Sequence, residues 1–322
     1  MILTIDTEMS ARPYPWSSPE AVAAELDREV YGVTSRGEVG IRYQADVLRS
    51  YGLRAVFFVE SLCADVVGLD PLRRVVDDIQ SRGQEVQLHV HSEWLEHMGS
   101  SPLPGKRGYN LRLFSQDEQA VLITRGLENL RKAGAAPIRC FRAGNFGGNF
   151  STLRALSGCG IEFDTTWNPF TAHGNCDMPT NEFLLQPTRL HGVYEFPLAF
   201  FSDRRAHYRA LQLCACSLDE MKAVTSEAWE RGWHSLVVLS HSFDLLRGRN
   251  TSGQPCFPSL ILKRRFEAFC RFLAENSDKF QTTTFSEISS ETIPTPIKQE
   301  PLASPVWRTA WRMREQLLTR FL

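Results

Sequence analysis

"RGQEVQLHVHSEW", residues 82–94, carries the pattern from which the fold is read. Glu85 to His91 reads as a buried strand. Alternate side chains of a strand share a face, so His89, His91 and Glu93 stand together at its end. Upstream, "DPLRRVVDDIQSRG" (70–83) reads as a helix with Pro71 in its first turn and Gly83 at its end, and "RAVFFVE" (54–60) as another buried strand. Strand, helix and strand in that order make one repeat of a parallel sheet.

The same alternation runs outward in both directions. "MILTID" (1–6) is a short buried strand ending in carboxylates. Residues 36–52 place Val39, Ile41, Ala45, Val47 and Leu48 on one helical face, closed by Gly52. Ser115, with Glu118 three residues on, forms a capping-box pattern for a helix that Gly134 ends. Beyond it come strands at 138–144, 162–167, 193–200 and 235–244, helices at 149–160, 218–232 and 260–280, and a closing strand at 281–288. The expectation is an α/β fold, a parallel sheet open or closed into a barrel, with helices outside.

Composition narrows the function. The 322 residues, 43% of them hydrophobic, suffice for one large core. With 36 basic and 37 acidic residues, net charge −1, no overall field favours nucleic acid or an anionic membrane. No apolar run approaches the roughly 20 residues of a spanning helix, and Asp6 and Glu8 so near the start argue against a cleaved signal peptide. The eight cysteines lack the short paired spacings of a zinc ribbon; "CAC" (214–216) reads as buried thiols and "HGNCD" (173–177) as a polar loop. The expectation is a reduced, cytoplasmic protein.

Polar residues sit where the strands end: Asp6 and Glu8 on the first, His89, His91 and Glu93 on the third, then Arg142, Asp164 and His241. In parallel α/β folds these ends converge on one face. Imidazoles facing carboxylates suit a divalent transition metal, zinc above all, with cobalt, nickel, iron or manganese also compatible. Such an ion would activate a water for attack on a carbonyl, with a carboxylate to take a proton and a histidine to give one.

The order of "LTIDTE" (3–8), "LRAVFFVE" (53–60), "SRGQEVQLHVHSEW" (81–94), "FRAGNFG" (141–147), "IEFDTTW" (161–167) and "VVLSHSFD" (237–244) resembles the polysaccharide deacetylase (NodB homology) superfamily, carbohydrate esterase family 4, over residues 1–285. The H-x-H-x-x-W form of the histidine motif is similar to that of its surface-polysaccharide branch. The resemblance implies a distorted (β/α) barrel and metal-dependent removal of an N-acetyl group from a sugar. Under it, Asp6 is the general base and Glu8 the metal ligand, in place of an aspartate that many relatives carry where this chain has Thr7. His89 is the first metal histidine. Relatives place the second four residues later, where this chain has Glu93, so either Glu93 or His91 completes the set, with His97 a poorer candidate. Arg142 holds the base, Asp164 pairs with that arginine or touches the sugar, and His241 protonates the departing amine. Trp94, Asn145 and Trp167 are candidates to line the sugar site.

Three regions are expected: a barrel over 1–288, a Pro, Ser and Thr-rich linker over 289–305, and a basic amphipathic helix over 306–322. In the last, Trp307, Ala310, Trp311, Leu317, Leu318 and Phe321 share a face, with Arg308, Arg312, Arg314 and Arg320 on the remainder. It either touches the cytoplasmic membrane face, which suits a lipid-linked sugar substrate with a soluble nucleotide-activated sugar equally compatible, or docks on the barrel or a partner subunit. Two alternatives to a sugar deacetylase stay open: a degenerate relative that binds a glycan or a partner without turnover, and a hydrolase of another small amide.

Overall fold

A computed structural model describes residues 1–170, 175–248 and 256–319, without the side chains of 310, 311 and 316–319. His173, Arg320 and Phe321, and the side chains of Ala310, Trp311, Leu317 and Leu318, therefore lie outside the described residues.

The chain begins with β1 (Ile2–Thr7), α1 (Pro19–Glu29), α2 (Ile41–Ser50), β2 (Ala55–Glu60), α3 (Leu69–Gln80) and β3 (Glu85–Val90). It continues through α4 (Gln116–Lys132), β4 (Cys140–Ala143), α5 (Phe150–Gly158), β5 (Phe163–Asp164), β6 (Thr188–Leu190) and β7 (Val193–Glu195). A hairpin of β8 (Phe200–Arg204) and β9 (His207–Ala210) precedes α6 (Leu218–Glu230), β10 (Val237–His241) and α7 (Leu260–Glu275). The main sheet runs β10-β1-β2-β3-β4-β5-β7-β6, parallel except for the last pair. It curls, and single parallel bridges from Leu198 to Val237 and from Gln212 to Leu239 span its open side. The result is a distorted (β/α) barrel.

Period-two patterning sorts the strand residues. Leu3, Ile5, Phe57, Val59, Val86 and Leu88 pack in the larger apolar cluster. Ile2, Phe58, Phe163, Phe196, Leu239 and Phe285 form a separate one. On β1 the second face therefore carries Ile2, Thr4 and Asp6, apolar at the start of the strand and polar at its carboxyl end. Local capping agrees with the sequence: Ser115 and Glu118 close a capping box at the start of α4.

The chain departs from expectation at 281–288, which forms a turn. The Glu85 carboxylate accepts from the N–H groups of Phe285 and Ser286, and Glu287 from that of Thr284, so these donors are unavailable to a strand ladder. All eight cysteines are free thiols, Cys216 buried and Cys214 half-buried.

The expected linker is also partly built in. Within it, β11 (Leu302–Ala303) pairs with β8, and Leu302 is fully buried. The helix that follows, α8 (Val306–Thr319), lies on the barrel by its polar side. Thr309 and Arg312 are buried, Arg312 lies 3.5 Å from Glu220 and 3.8 Å from Asp203, and Glu315 pairs with Arg265 at 2.8 Å. Trp307, expected on the apolar face, is 63% exposed, and Val306 and Met313 also face outward. Among the described residues no helix is long and apolar enough to cross a membrane.

Docking by charge has a measurable consequence. Replacing Arg312 with alanine leaves buried Glu220 with Arg209 as its remaining cation and buried Asp203 with Arg209 and His207. The expected cost is about 3 kcal/mol in a urea melt. An unchanged midpoint would contradict this docking.

Candidate active site

Strand register assembles the site. Asp6 on β1 stands opposite His241 on β10, and His89 on β3 lies between Glu60 on β2 and Arg142 on β4. Their side chains meet at the carboxyl ends of the strands.

Arg142 is fully buried and organises the rim. Its Nη1 donates to Asp6 Oδ1 at 2.5 Å and to Thr4 Oγ1 at 3.0 Å. Its Nε and Nη2 donate to the Thr165 carbonyl and hydroxyl at 3.2 and 3.3 Å. The guanidinium rests 4.3 Å from the centre of the Phe58 ring. Asp6 is thus fixed through one oxygen, leaving Oδ2 toward His241, whose Nε2 is 3.9 Å away.

The imidazoles converge from one side. His89 Nδ1 donates to the Arg142 carbonyl at 2.8 Å, an oxygen that can only accept, which directs Nε2 toward Glu8 Oε2 at 3.0 Å. His91 Nε2 lies 2.5 Å from the same oxygen, yet it is buried and makes no well-directed hydrogen bond. One ligand atom each from Glu8, His89 and His91 falls within 4.8 Å of the others. Burial opposes the charge on Glu8, but His91 and His89 hold its pKa well below the usual carboxylate range. Burial likewise opposes the charge on His91, but Glu8 and Glu93 hold it well above the usual imidazole range. Two imidazole nitrogens, one of them the orphaned buried Nε2 of His91, and a carboxylate oxygen fit a divalent transition ion.

Glu93 is not among the converging atoms. It lies on the other ring nitrogen, Oε2 3.3 Å from His91 Nδ1, and its Oε1 accepts from Asn145 Nδ2 at 2.6 Å. Strand alternation does not carry it to the centre, because β3 ends at Val90 and a 3₁₀ turn covers Ser92–Glu96. Asn145 occupies a left-handed turn with φ 55°, in which the Gly147 N–H donates to the Gly144 carbonyl. Gly144 is required there: a Cβ would come within 2.5 Å of the His91 ring.

His241 is set by Asp244, whose Oδ1 lies 3.5 Å from Nδ1 and whose Oδ2 accepts from the His241 N–H. Burial alone would lower the His241 pKa, but Asp244, with Asp6 and Glu8 behind it, raises it to about 9. Asp164 makes no ion pair with Arg142. It lies in register with Glu195 of β7 and accepts from the Thr166 hydroxyl at 2.7 Å. Burial raises both carboxyls, and the neighbouring Asp164 charge adds to the rise at Glu195, which lies well above the usual range. Trp94 and Trp167, 0% and 2% exposed, offer no ring face to a sugar: Trp94 packs on Trp16 and Trp167 near Phe200. His97 sits beside Trp16 and Trp94 with Nε2 toward the Ala11 carbonyl, away from the other imidazoles.

The sequence reading missed Glu60, Asp244 and Glu195. Glu60 and Glu195 end strands as Asp6 does, and Asp244 lies three residues after His241, so their positions carried a signal. Glu60 Oε2 accepts from the His91 N–H at 2.5 Å, and Oε1 from the N–H groups of Leu62 and Cys63. Burial raises its pKa to about 7 against the pull of both imidazoles.

No family model and no curated protein matches the sequence. Among solved structures, the chain is similar to a protein from Mycobacterium smegmatis assigned as a polysaccharide deacetylase, with 16% identity over 93% of each chain and a TM-score of 0.53. A family 4 carbohydrate esterase from Streptomyces lividans, solved with acetate, matches at 14% identity over 92% of this chain and 97% of that one, TM-score 0.45. A family 4 pseudoenzyme from Bacillus anthracis matches at 11% identity over 94% and 68%, TM-score 0.43. The first of these likenesses establishes the fold: this chain has the distorted barrel of the polysaccharide deacetylases.

Proposed function

We propose that the chain is a metal-dependent N-deacetylase of the NodB, carbohydrate esterase family 4 type, acting on an N-acetylated sugar. The observation that carries this reading is the convergence of Glu8, His89 and His91 beside an Arg142-bound Asp6 and an Asp244-bound His241. The Glu8 carboxylate and the two imidazoles would hold a divalent cation, zinc in the first place. When bound, that cation supplies Lewis acidity to polarise an acetamide carbonyl and ease proton loss from water near neutral pH.

The chain's own residues do the rest. Asp6 Oδ1 is taken by Arg142, so Oδ2 is the atom that accepts a proton from the attacking water. His241, with Nδ1 toward Asp244, presents Nε2 across from it and gives a proton to the amine that departs. A pure binder has no use for this base, arginine and acid together, which favours turnover over the degenerate reading. The experiment is acetate release from N-acetylated oligosaccharides by metal-loaded protein, with Asp6→Asn as control. Formate or ammonia from another amide, or glycan binding without turnover, would contradict the proposal.

The acid sets a pH limit. A raised pKa keeps His241 protonated below about 9 and loses the proton above it, so the alkaline limb of kcat/KM is expected near pH 9. In Asp244→Asn burial is less opposed, and the limb moves to lower pH by about one unit or more. A limb that stays in place would remove His241 from the acid role.

A further inference from the structure

Resting on that reading, we infer that Glu93 and Glu60 are positioning residues for His91, which they hold as the metal ligand without touching the metal themselves.

The geometry closes around His91 from several directions. Glu93 receives Nδ1, which turns Nε2 toward Glu8. Asn145 donates to the other Glu93 oxygen at 2.6 Å and to the Tyr109 carbonyl at 3.1 Å, tying that carboxylate to two loops. Glu60 takes the backbone N–H of His91 and, through its second oxygen, the N–H groups after β2, clamping the ends of two strands together. Gly144 lets the ring lie against the next loop. A histidine held by its second nitrogen presents the first in a fixed direction, and loss of such a partner commonly weakens metal binding 10–100-fold without removing the site. Because β3 has ended before His91, no strand ladder fixes the ring, and these carboxylates do so instead.

The test is cobalt(II) titration of the full chain, read by visible absorption and by calorimetry. Glu93→Gln and Glu60→Gln are each expected to bind one ion with unmoved absorption bands and an affinity about 10–100-fold weaker than wild type. Asn145→Ala, which alters no buried carboxylate, is expected to weaken binding in the same direction and guards against a variant that fails to fold. Shifted bands in Glu93→Gln would make Glu93 a direct ligand and overturn the inference. Unchanged affinity in Glu93→Gln and Glu60→Gln would overturn it as well. A wild type that binds no cobalt would instead remove the metal reading beneath it, a distinguishable failure.

Discussion

Asp6→Asn is expected to lower the rate of acetate release by about 10²–10⁴-fold, the range for losing a positioned general base. Asparagine has the same shape, and its carbonyl still accepts from Arg142 Nη1, which keeps its bond to Thr4 while Nε and Nη2 stay on Thr165. The loss should therefore fall on kcat, with a smaller effect on stability and with metal retained, since Asp6 is not among the converging ligand atoms. Steady-state kinetics and a thermal melt on the same preparation check both halves. An Asp6→Asn protein with wild-type kcat would exclude Asp6 as the base.

The second large effect falls on the fold. Arg142→Ala removes a fully buried guanidinium and leaves the Asp6 carboxylate, 3% exposed, with the His241 imidazole 3.9 Å away in place of its hydrogen-bonded counter-ion. Breaking a buried pair from one side costs about 3–5 kcal/mol, and here the Phe58 ring also loses the group packed 4.3 Å from its centre. Activity should fall with stability, because the base is no longer held. The double variant Asp6→Asn with Arg142→Ala is expected to be more stable than the sum of the single effects implies, since neither charge is then stranded. Additive costs would mean that the pair does not act as a unit.

These effects arise where the sequence was easiest to read. Strand patterning and Gly or Ser caps placed β1, β2, β3, α3 and α4 within a few residues, because those signals are local. Asp6, His89, Arg142 and His241 were legible as strand-end residues of a parallel sheet, which any such topology gathers. What stayed hidden depends on contacts made across the chain. Whether His91 or Glu93 faces the centre is decided by ring direction after β3 has ended, and Glu60 acts on a backbone N–H 31 residues away. The turn at 284–287 is stabilised partly by Glu85, some 200 residues earlier, so strand propensity misread it. Trp94 was offered to a sugar because its packing against Trp16 is not a local property. The final helix was read by its apolar stripe, whereas buried Asp203 and Glu220 draw in its polar side through Arg312.

The most direct test of the account is metal retention. Purified protein supplied separately with zinc, cobalt, nickel, iron and manganese, then cleared of loose ions, would be measured by elemental analysis beside a His89→Ala, His91→Ala double variant. The expected result is close to one ion of at least one metal per wild-type chain and little in the variant. Equal retention by both proteins, or none by the wild type with any of the metals, would contradict a metal-dependent centre at Glu8, His89 and His91.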